Sequence, residues 1–167
     1  MITIQQATTE DIDLIRKIAG KTWFVTYQDI LSREQLDYMF DMMYSTESIK
    51  QQMTVQSHTF FIAWLQSKPL GYVSVEKQQE NLFHLHKLYV LPESQGKGIG
   101  EILIKKAFAF ARENSGNKEC ALELNMNRNN NALDFYKRMG MHICGEGDFD
   151  IGNGYFMNDY IFRIDLK

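Results

Sequence analysis

Apolar residues recur at intervals of three and four in the first third of the chain, a period that predicts helices. A short strand, ITIQQ (2–6), comes first. In the following TTED, Thr8 and Asp11 have the spacing of a capping box, so we expect a helix from there to about Trp23. SREQ (32–35) is a second capping box and predicts the start of another helix.

The period changes to that of β-strands at about residue 58. Before it, a third short helix is predicted at 46–56. Two later helices interrupt the strands: an amphipathic one from about Ile99 to Ser115-Gly116, and a short one within NNNALDFYKRMGM. This order predicts one domain with a mixed α/β (α+β) sheet flanked by helices. The predicted strands are TFFIAWL (59–65), PLGYVSVE (69–76), NLFHLHKLYVL (81–91), CALELNM (120–126), HICGEGDF (142–149) and YFMNDYIFRIDL (155–166).

The strand NLFHLHKLYVL has an irregularity that predicts a β-bulge. Leu85 and Leu88 are both apolar but lie three positions apart, so a regular strand puts them on opposite faces. One extra residue at about His86-Lys87 would bring both leucines to the core. Such a bulge bends the strand away from its neighbour. It leaves backbone groups at 88–90 unpaired, and an extended ligand can bind them.

The sequence QGKGIG (95–100) lies between that strand and the long helix. Its glycines, Gly96, Gly98 and Gly100, permit backbone conformations with positive φ and allow a ligand to approach closely. Free N–H groups at a helix start form an anion site, because the helix dipole adds positive potential there. We therefore predict that this loop binds a phosphate, with a simple tight turn as the competing interpretation.

The segment LHKLYVLPESQGKGIG, an amphipathic helix and then NNNALDFYKRMGM together resemble the GNAT N-acetyltransferase superfamily. The element order matches over nearly the whole chain, and the Gln-x-x-Gly-x-Gly signature is present as Gln95, Gly98 and Gly100. The resemblance implies a mostly antiparallel seven-stranded sheet with bulged and splayed central strands. It also implies direct transfer of acetyl from acetyl-CoA to a primary amine. Within the superfamily the chain is most similar to bacterial polyamine-type (spermidine- or spermine-like) N-acetyltransferases.

The resemblance assigns a role to each matching residue of this chain. The loop binds the pyrophosphate of acetyl-CoA, the strand before it pairs along the pantetheine arm, and a later Asn reaches the pantetheine amides. Tyr136 lies beside the thioester sulfur as general acid, although a core tyrosine gives the same pattern. Asn129 also suits the helix cap. The implied cofactor-binding residues are Leu88, Tyr89, Val90, Gln95, Gly96, Lys97, Gly98, Ile99, Gly100, Asn129 and Asn131.

Two histidines are candidates for the general base. His84 and His86 lie where related enzymes often carry the Glu that activates the amine. An imidazole has an unperturbed pKa of about 6.5 and is a competent base near neutral pH. Semi-buried histidines that donate to neighbouring groups are the competing interpretation.

The end of the first helix is expected to overhang the acceptor site, as it does in the family. It carries Trp23, Phe24 and Tyr27, which would be equally ordinary as core residues. Four acidic residues nearby are able to receive a cation, but a solvated helix face explains them better. They are Asp29, Glu34, Asp37 and Asp41. The predicted acceptor is a small-molecule amine or a peptide.

The composition and charge limit which partners the protein is expected to bind and where in the cell it is expected to be. The net charge is −3 and no run of Lys and Arg is present, which argues against nucleic-acid binding. No apolar stretch reaches the roughly 20 residues of a membrane span, and a signal-peptide pattern is lacking, so a cytoplasmic protein is expected. Cys120 and Cys144 form no CxxC and the four histidines lack i, i+4 spacing, so no metal is predicted.

Two functions from other classes fit the same residues. A non-catalytic acyl-CoA sensor would keep the glycine loop without turnover. A structural partner would bind no nucleotide and would dimerise through a sheet edge at 155–166. The sequence leaves open whether the chain forms a homodimer.

Overall fold

The computed structural model describes residues 1–116 and 118–167, and its elements follow the predicted order. The strands are β1 (Ile2–Gln6), β2 (His58–Leu65), β3 (Lys68–Gln79), β4 (Leu82–Val90), β5 (Cys120–Asn127), β6 (His142–Gly152) and β7 (Tyr155–Leu166). The helices are α1 (Ile12–Tyr27), α2 (Arg33–Tyr44), α3 (Thr46–Thr54), α4 (Ile99–Asn114) and α5 (Leu133–Arg138). None of these helices has both the length and the apolar character that a membrane crossing requires.

The first predicted capping box has both of its hydrogen bonds, and the second has only the one accepted by the N-cap side chain. Thr8 caps the turn before α1, and the Asp11 carboxylate accepts a hydrogen bond from the Thr8 N–H at 2.8 Å. Ser32 caps α2 by accepting a hydrogen bond from the Gln35 N–H. The Gln35 side chain donates instead to the Phe156 carbonyl, 3.0 Å away. This contact ties α2 to the last strand.

All seven strands form one sheet in the order β1-β2-β3-β4-β5-β7-β6. Every pairing is antiparallel apart from that of β4 with β5, which confirms the predicted mixed, mostly antiparallel sheet. The expectation that 155–166 is a sheet edge is wrong, because β7 lies between β5 and β6. The tight turn at Asn153-Gly154 folds β6 and β7 against each other and leaves β6 outermost.

The predicted bulge is confirmed at His86. Ser74 of β3 is opposite Lys87 and Val75 is opposite Leu85, so His86 is the extra residue on β4. The pairing of β4 with β5 ends at Leu85, and beyond this point the two strands part. The extra residue therefore coincides with the place where the sheet opens.

Two hydrophobic cores cover the two faces of the sheet. One lies under α4 and α5 and includes Phe83, Leu103, Ile104 and Leu122; the other lies under α1, α2 and α3 and includes Ile15, Ile18, Phe60 and Tyr72. Leu88 and Val90 pack on the first core, whereas Tyr89 packs on the second. The end of β4 is thus fixed on both faces, while its edge toward β5 is open.

Candidate active site

A cleft of about 360 Å³ lies between β4 and β5 where the strands part, and we call it the strand cleft. It lies at the splayed central strands that the sequence predicts. Its walls come from β4, β5, α1 and the start of α5. They include Leu88, Val90, Leu124, Met126, Asn131 and Tyr136.

The glycine loop forms a second cavity of about 300 Å³, the loop cavity, which shares Val90 and Gln95 with the strand cleft. Gly96 and Gly98 have φ values of +77° and +79°, and a Cβ atom on either would meet nothing within 4 Å. Gly98 is the N-cap of α4, whose first N–H groups have no partner within the helix. The backbone here is therefore shaped and exposed as an anion site requires.

The other predicted loop residues have more local contacts. The Gln95 side chain donates a hydrogen bond to the Val90 carbonyl at 3.1 Å and so ties the loop to the end of β4. Ile99 is buried in the core. A Cβ atom on Gly100 would lie 3.4 Å from the Phe135 ring, so this glycine allows α4 to pack closely on α5. All three residues also line the loop cavity, so these contacts help to fix its shape.

Two cations lie near the loop, and the structure places them differently. Lys97 is exposed and does not line the loop cavity. Arg138, at the end of α5, does line it. Glu101 lines the same cavity, but its carboxylate is bound to Lys105 at 2.7 Å. Arg138 is thus the cation that the fold brings to the predicted phosphate site.

The end of β4 offers an unpaired backbone edge to the strand cleft. β4 stays paired with β3 as far as Val90, whereas its pairing with β5 ends at Leu85. Within the described ranges, no strand pairs with the β5-facing side of residues 88–90. This is the arrangement that the bulge predicts.

Tyr136 lines the strand cleft from α5. Its ring packs against Phe162 and Phe135, with centroids 5.6 and 5.2 Å away. Among the described residues, nothing forms a hydrogen bond with its hydroxyl. Burial raises the pKa of Tyr136, and the nearby Tyr27 phenol adds to the effect, so the hydroxyl is protonated at neutral pH. Tyr136 packs in the core and also lines the strand cleft. Its interpretation as a core residue is therefore compatible with its interpretation as a general acid.

Asn130, rather than Asn129, shapes the turn before α5. The Asn130 side-chain oxygen accepts a hydrogen bond from the Ala132 N–H at 2.9 Å, and its amide nitrogen is 3.5 Å from the Tyr27 hydroxyl. The expectation that Asn129 caps the helix is wrong, because the N-cap is Ala132. Asn129 is exposed and lines neither cavity, whereas Asn131 lines the strand cleft. The cofactor contacts of both residues stay predictions.

His86 lies on the wall of the strand cleft and is held by Glu76, which the sequence did not indicate. His86 Nε2 is 2.8 Å from a Glu76 carboxylate oxygen, so we assign the ring proton to Nε2. Burial lowers the pKa of His86 to about 3, with the charges of His84 and Lys87 as smaller causes. The ring is therefore neutral at pH 7.

His84 is close to His86, with ring centroids 4.6 Å apart, but it lines neither the strand cleft nor the loop cavity. Burial also lowers the pKa of His84. The structure brings only one of the two candidate bases, His86, to the cleft wall.

The group formed by His58, Glu76 and His86 is the nearest approach to a metal-type donor set in the described part of the chain. Its two ring nitrogens and one carboxylate oxygen lie within 4.8 Å of one another. The two imidazoles are stacked 4.1 Å apart with 10° between their planes, so their lone pairs run side by side rather than toward one point. We interpret the group as a hydrogen-bonded cluster, and the absence of a metal stays a prediction.

A third cavity, of about 80 Å³, lies between the sheet and helices α1 and α2, and we call it the helix cavity. Trp23 and Tyr27 line it, and Tyr27 also lines the strand cleft. Their contact with an acceptor stays a prediction. Phe24 lines neither cavity, because it faces Phe40 (5.5 Å between centroids) and the Arg33 guanidinium. The helix cavity meets the strand cleft along four shared residues: Tyr27, His86, Tyr89 and Asn125.

Two charged side chains that the sequence reasoning missed line the helix cavity. Asp159 of β7 is 2% exposed, and Lys87 of β4 is 6% exposed. The Lys87 ammonium donates to the Gln52 side chain at 2.6 Å and lies 5.4 Å from the centre of the Tyr44 ring. Burial lowers the pKa of Lys87 to about 7. The four acids that the sequence offered, Asp29, Glu34, Asp37 and Asp41, are exposed and line none of these cavities.

Comparisons with known proteins agree with this geometry. The model of the acetyltransferase (GNAT) family matches residues 12–141. The chain is 27% identical over 147 residues to a spermidine N(1)-acetyltransferase from Thermoplasma acidophilum, covering 85% of this chain and 89% of that one. It is 33% identical over 89 residues to an uncharacterised N-acetyltransferase from Methanocaldococcus jannaschii, covering 48% of this chain but 38% of that longer protein.

The fold also matches a solved structure. The crystal structure of the paia N-acetyltransferase from Thermoplasma acidophilum, in complex with coenzyme A, has a TM-score of 0.76 and 24% sequence identity. The match covers 98% of each chain. Because the family model matches residues 12–141, which include the strands, the glycine loop and the helices of the site, the chain belongs to the acetyltransferase (GNAT) family.

Proposed function

We propose that this GNAT N-acetyltransferase transfers acetyl directly from acetyl-CoA to a primary amine of a small molecule. The observation that carries the proposal is the continuity of the loop cavity with the strand cleft. An anion site at the start of α4 leads to an unpaired strand edge, and that edge leads to Tyr136. This sequence of sites suits a diphosphate, then an amide-containing arm, then a thioester.

The relatives support the cosubstrate and the kind of acceptor. The paia N-acetyltransferase structure is a complex with coenzyme A, and the relative from Thermoplasma acidophilum is a spermidine N(1)-acetyltransferase. A polyamine-like amine is therefore the acceptor class that we propose. A peptide amine is the second class named from the sequence.

Tyr136 is the proposed general acid. When the tetrahedral intermediate collapses, the C–S bond breaks and the CoA thiolate needs a proton. A protonated phenol with no other hydrogen-bond partner among the described residues is suited to donate one. The oxyanion would accept a hydrogen bond from a backbone N–H at the open edge of β4, that of Leu88 or Val90.

His86 is the proposed base. It lies where the helix cavity meets the strand cleft, so an amine that crosses from one to the other passes it. The His86 Nε2–H donates a hydrogen bond to the Glu76 carboxylate, which leaves Nδ1 as the ring atom that can take a proton. Because the pKa of His86 is about 3, the ring takes the proton only as the new C–N bond forms and the amine nitrogen becomes acidic.

We predict that Tyr136→Phe lowers kcat by about 100-fold while the Kd for acetyl-CoA stays the same, because general acid catalysis contributes about that factor. Single-turnover CoA release and ligand titration measure the two quantities. Tyr160→Phe removes a hydroxyl from a partly buried tyrosine outside the cavities and should leave kcat unchanged. An unchanged kcat in Tyr136→Phe excludes the assigned role, and a protein with no turnover at all favours the acyl-CoA sensor.

We predict that His86→Gln lowers kcat at least 10-fold for a strongly basic alkylamine and much less for a weakly basic amine. Once the C–N bond forms, the N–H of a weakly basic amine is the more acidic one, so it loses its proton to water with less need of the His86 ring. His84→Gln is the matched control, since it lines neither cavity, and its rates should stay near those of the wild type. Equal losses for both amines would show that His86 acts on folding or binding instead.

We predict that Gly98→Ala raises the Kd for acetyl-CoA at least 10-fold, because an alanine at positive φ distorts the loop and places a methyl group in the anion site. Gly154→Ala is the matched control, with the same φ of +79° and the same open space around Cβ. Both changes should destabilise the free protein by about 1 kcal/mol. The wild type should gain about 2.7 kcal/mol at 100 times its Kd in a thermal-shift titration. Equal acetyl-CoA affinities in the two variants would contradict the site.

We predict that Arg138→Gln weakens acetyl-CoA binding about 10-fold, whereas Lys97→Gln has a smaller effect, because Arg138 is the cation that lines the loop cavity. Isothermal titration at two salt concentrations measures both. S-acetylpantetheine lacks the diphosphate and should bind the two variants and the wild type alike. A larger effect for Lys97 would restore that residue to the phosphate site.

A further inference from the structure

We propose that Asp159 recognises the positive charge of the acceptor, and that the acceptor is an alkyl or arylalkyl ammonium whose carbon body lies against the apolar walls of the helix cavity. This inference rests on the proposed function, because it names the ligand of the same site. It concerns a residue that no local motif in the sequence indicates.

Asp159 is a buried carboxylate whose negative charge is only weakly compensated by other groups of the protein. It is 2% exposed in the middle of β7, where it lies opposite Asn127 of β5 and Gly147 of β6. Its one side-chain hydrogen bond is a long one, 3.4 Å from Asn125 Nδ2. No Lys, Arg or His nitrogen in residues 1–116 and 118–167 lies within 4.0 Å of it. A buried carboxylate of this kind is expected to have a cationic partner.

Two cationic side chains near Asp159, those of Arg128 and Lys87, are bound to other groups. The Arg128 guanidinium is held by Asp148 at 2.6 Å and by the Gly147 carbonyl at 3.3 Å. Lys87 lines the same cavity, but its ammonium donates to Gln52 and lies above the Tyr44 and Phe60 rings. The described residues, 1–116 and 118–167, therefore supply no ion-pair partner for Asp159, and an ammonium ion in the helix cavity would provide one.

The rest of the cavity wall is largely apolar. It includes Leu31, Met39, Met43, Phe156 and Met157, together with the Trp23 ring. Thioether and aromatic groups favour methylene chains and rings, and the aromatic faces also favour a cation. Among the residues that line this cavity, Asp159 is the only carboxylate. The wall thus combines one anionic contact with an apolar surface.

The position of Asp159 connects recognition with reaction. Its hydrogen-bond partner Asn125 lines both the helix cavity and the strand cleft, as does the proposed base His86. An ammonium held at Asp159 is therefore next to the opening through which the amine must reach the thioester. Asp159 binds the charged form of the acceptor. To react, the ammonium gives one proton to water and becomes a neutral amine, and His86 takes the second proton as the C–N bond forms.

The test compares hexylammonium with hexan-1-ol, a neutral ligand of the same length, on the full chain loaded with CoA, which cannot transfer acetyl. Chemical-shift titration should show that the wild type binds hexylammonium about 10-fold or more tightly than hexan-1-ol, because hydrogen bonds to charged groups are the stronger ones. Asp159→Asn should lose this preference and keep the weak binding of the alcohol. Retention of the preference in Asp159→Asn, or its absence in the wild type, overturns the inference.

Asp41→Asn is the matched control, because it removes one negative charge from an exposed position outside the cavities. It should keep the preference for hexylammonium. In the acetylation assay, Asp159→Asn should raise the KM for hexylamine about 10-fold and change kcat less. A chain that prefers hexylammonium but acetylates no amine would leave this inference standing and overturn the proposed function instead.

A stability measurement provides a second readout. Burial raises the pKa of Asp159, against smaller opposing contributions from Asn125 and Arg128, so the folded state binds a proton more readily than the unfolded chain. The other titratable groups that line the same cavity are Tyr27 of α1, Tyr44 of α2, and His86, Lys87 and Tyr89 of β4. Asp159→Asn should therefore have a Tm above that of the wild type by about 2–6 °C at pH 7. The difference should shrink as the pH falls, because the wild-type carboxyl takes up its proton at a higher pH in the folded state than in the unfolded chain. A lower Tm for the variant at pH 7 would show that Asp159 is already compensated.

Discussion

The parting of β4 from β5 after Leu85 is the constraint on which the rest of the site depends. A buried backbone N–H or C=O without a partner costs free energy comparable to a lost hydrogen bond. β4 stays paired with β3 as far as Val90, whereas beyond Leu85 its other edge is no longer paired with β5. An extended molecule in the strand cleft would supply the partner that this edge lacks. Gly100 at the start of α4 and the ring of Tyr136 line the same opening.

The bulge makes this opening compatible with two packed cores. After the extra residue at His86, Leu88 and Val90 face α4 while Lys87 and Tyr89 face the helices on the other side. Each face of β4 stays covered although its edge is free. His86 itself lies on the wall between the strand cleft and the helix cavity. A single inserted residue therefore opens the sheet and also supplies a polar ring at the junction.

The features that the sequence predicted correctly depend on residues that lie close together in the chain. Examples are the glycine loop, the irregular spacing of Leu85 and Leu88, and the start of α4. Asp159 and Glu76 reach the site through strand register instead: β7 inserts beside β5, and the shifted β3–β4 ladder brings Glu76 to His86. Arg138 reaches the loop through the packing of α5, some 40 residues further along. Local patterns hold no information on such pairings.

Unsatisfied polar groups gather around the same strand. His58 Nδ1 and Ser74 Oγ are buried without a hydrogen-bond partner among the described residues. His58 stacks on His86, and Ser74 is opposite Lys87 in the ladder. Each such group destabilises the free protein, and a sequence selected for stability alone would replace them with apolar residues. Neither residue lines the strand cleft or the helix cavity, and both lie beside the bulge of β4. The extra residue that opens the sheet edge thus coincides with buried polar atoms that lack partners, and both features have a cost in stability.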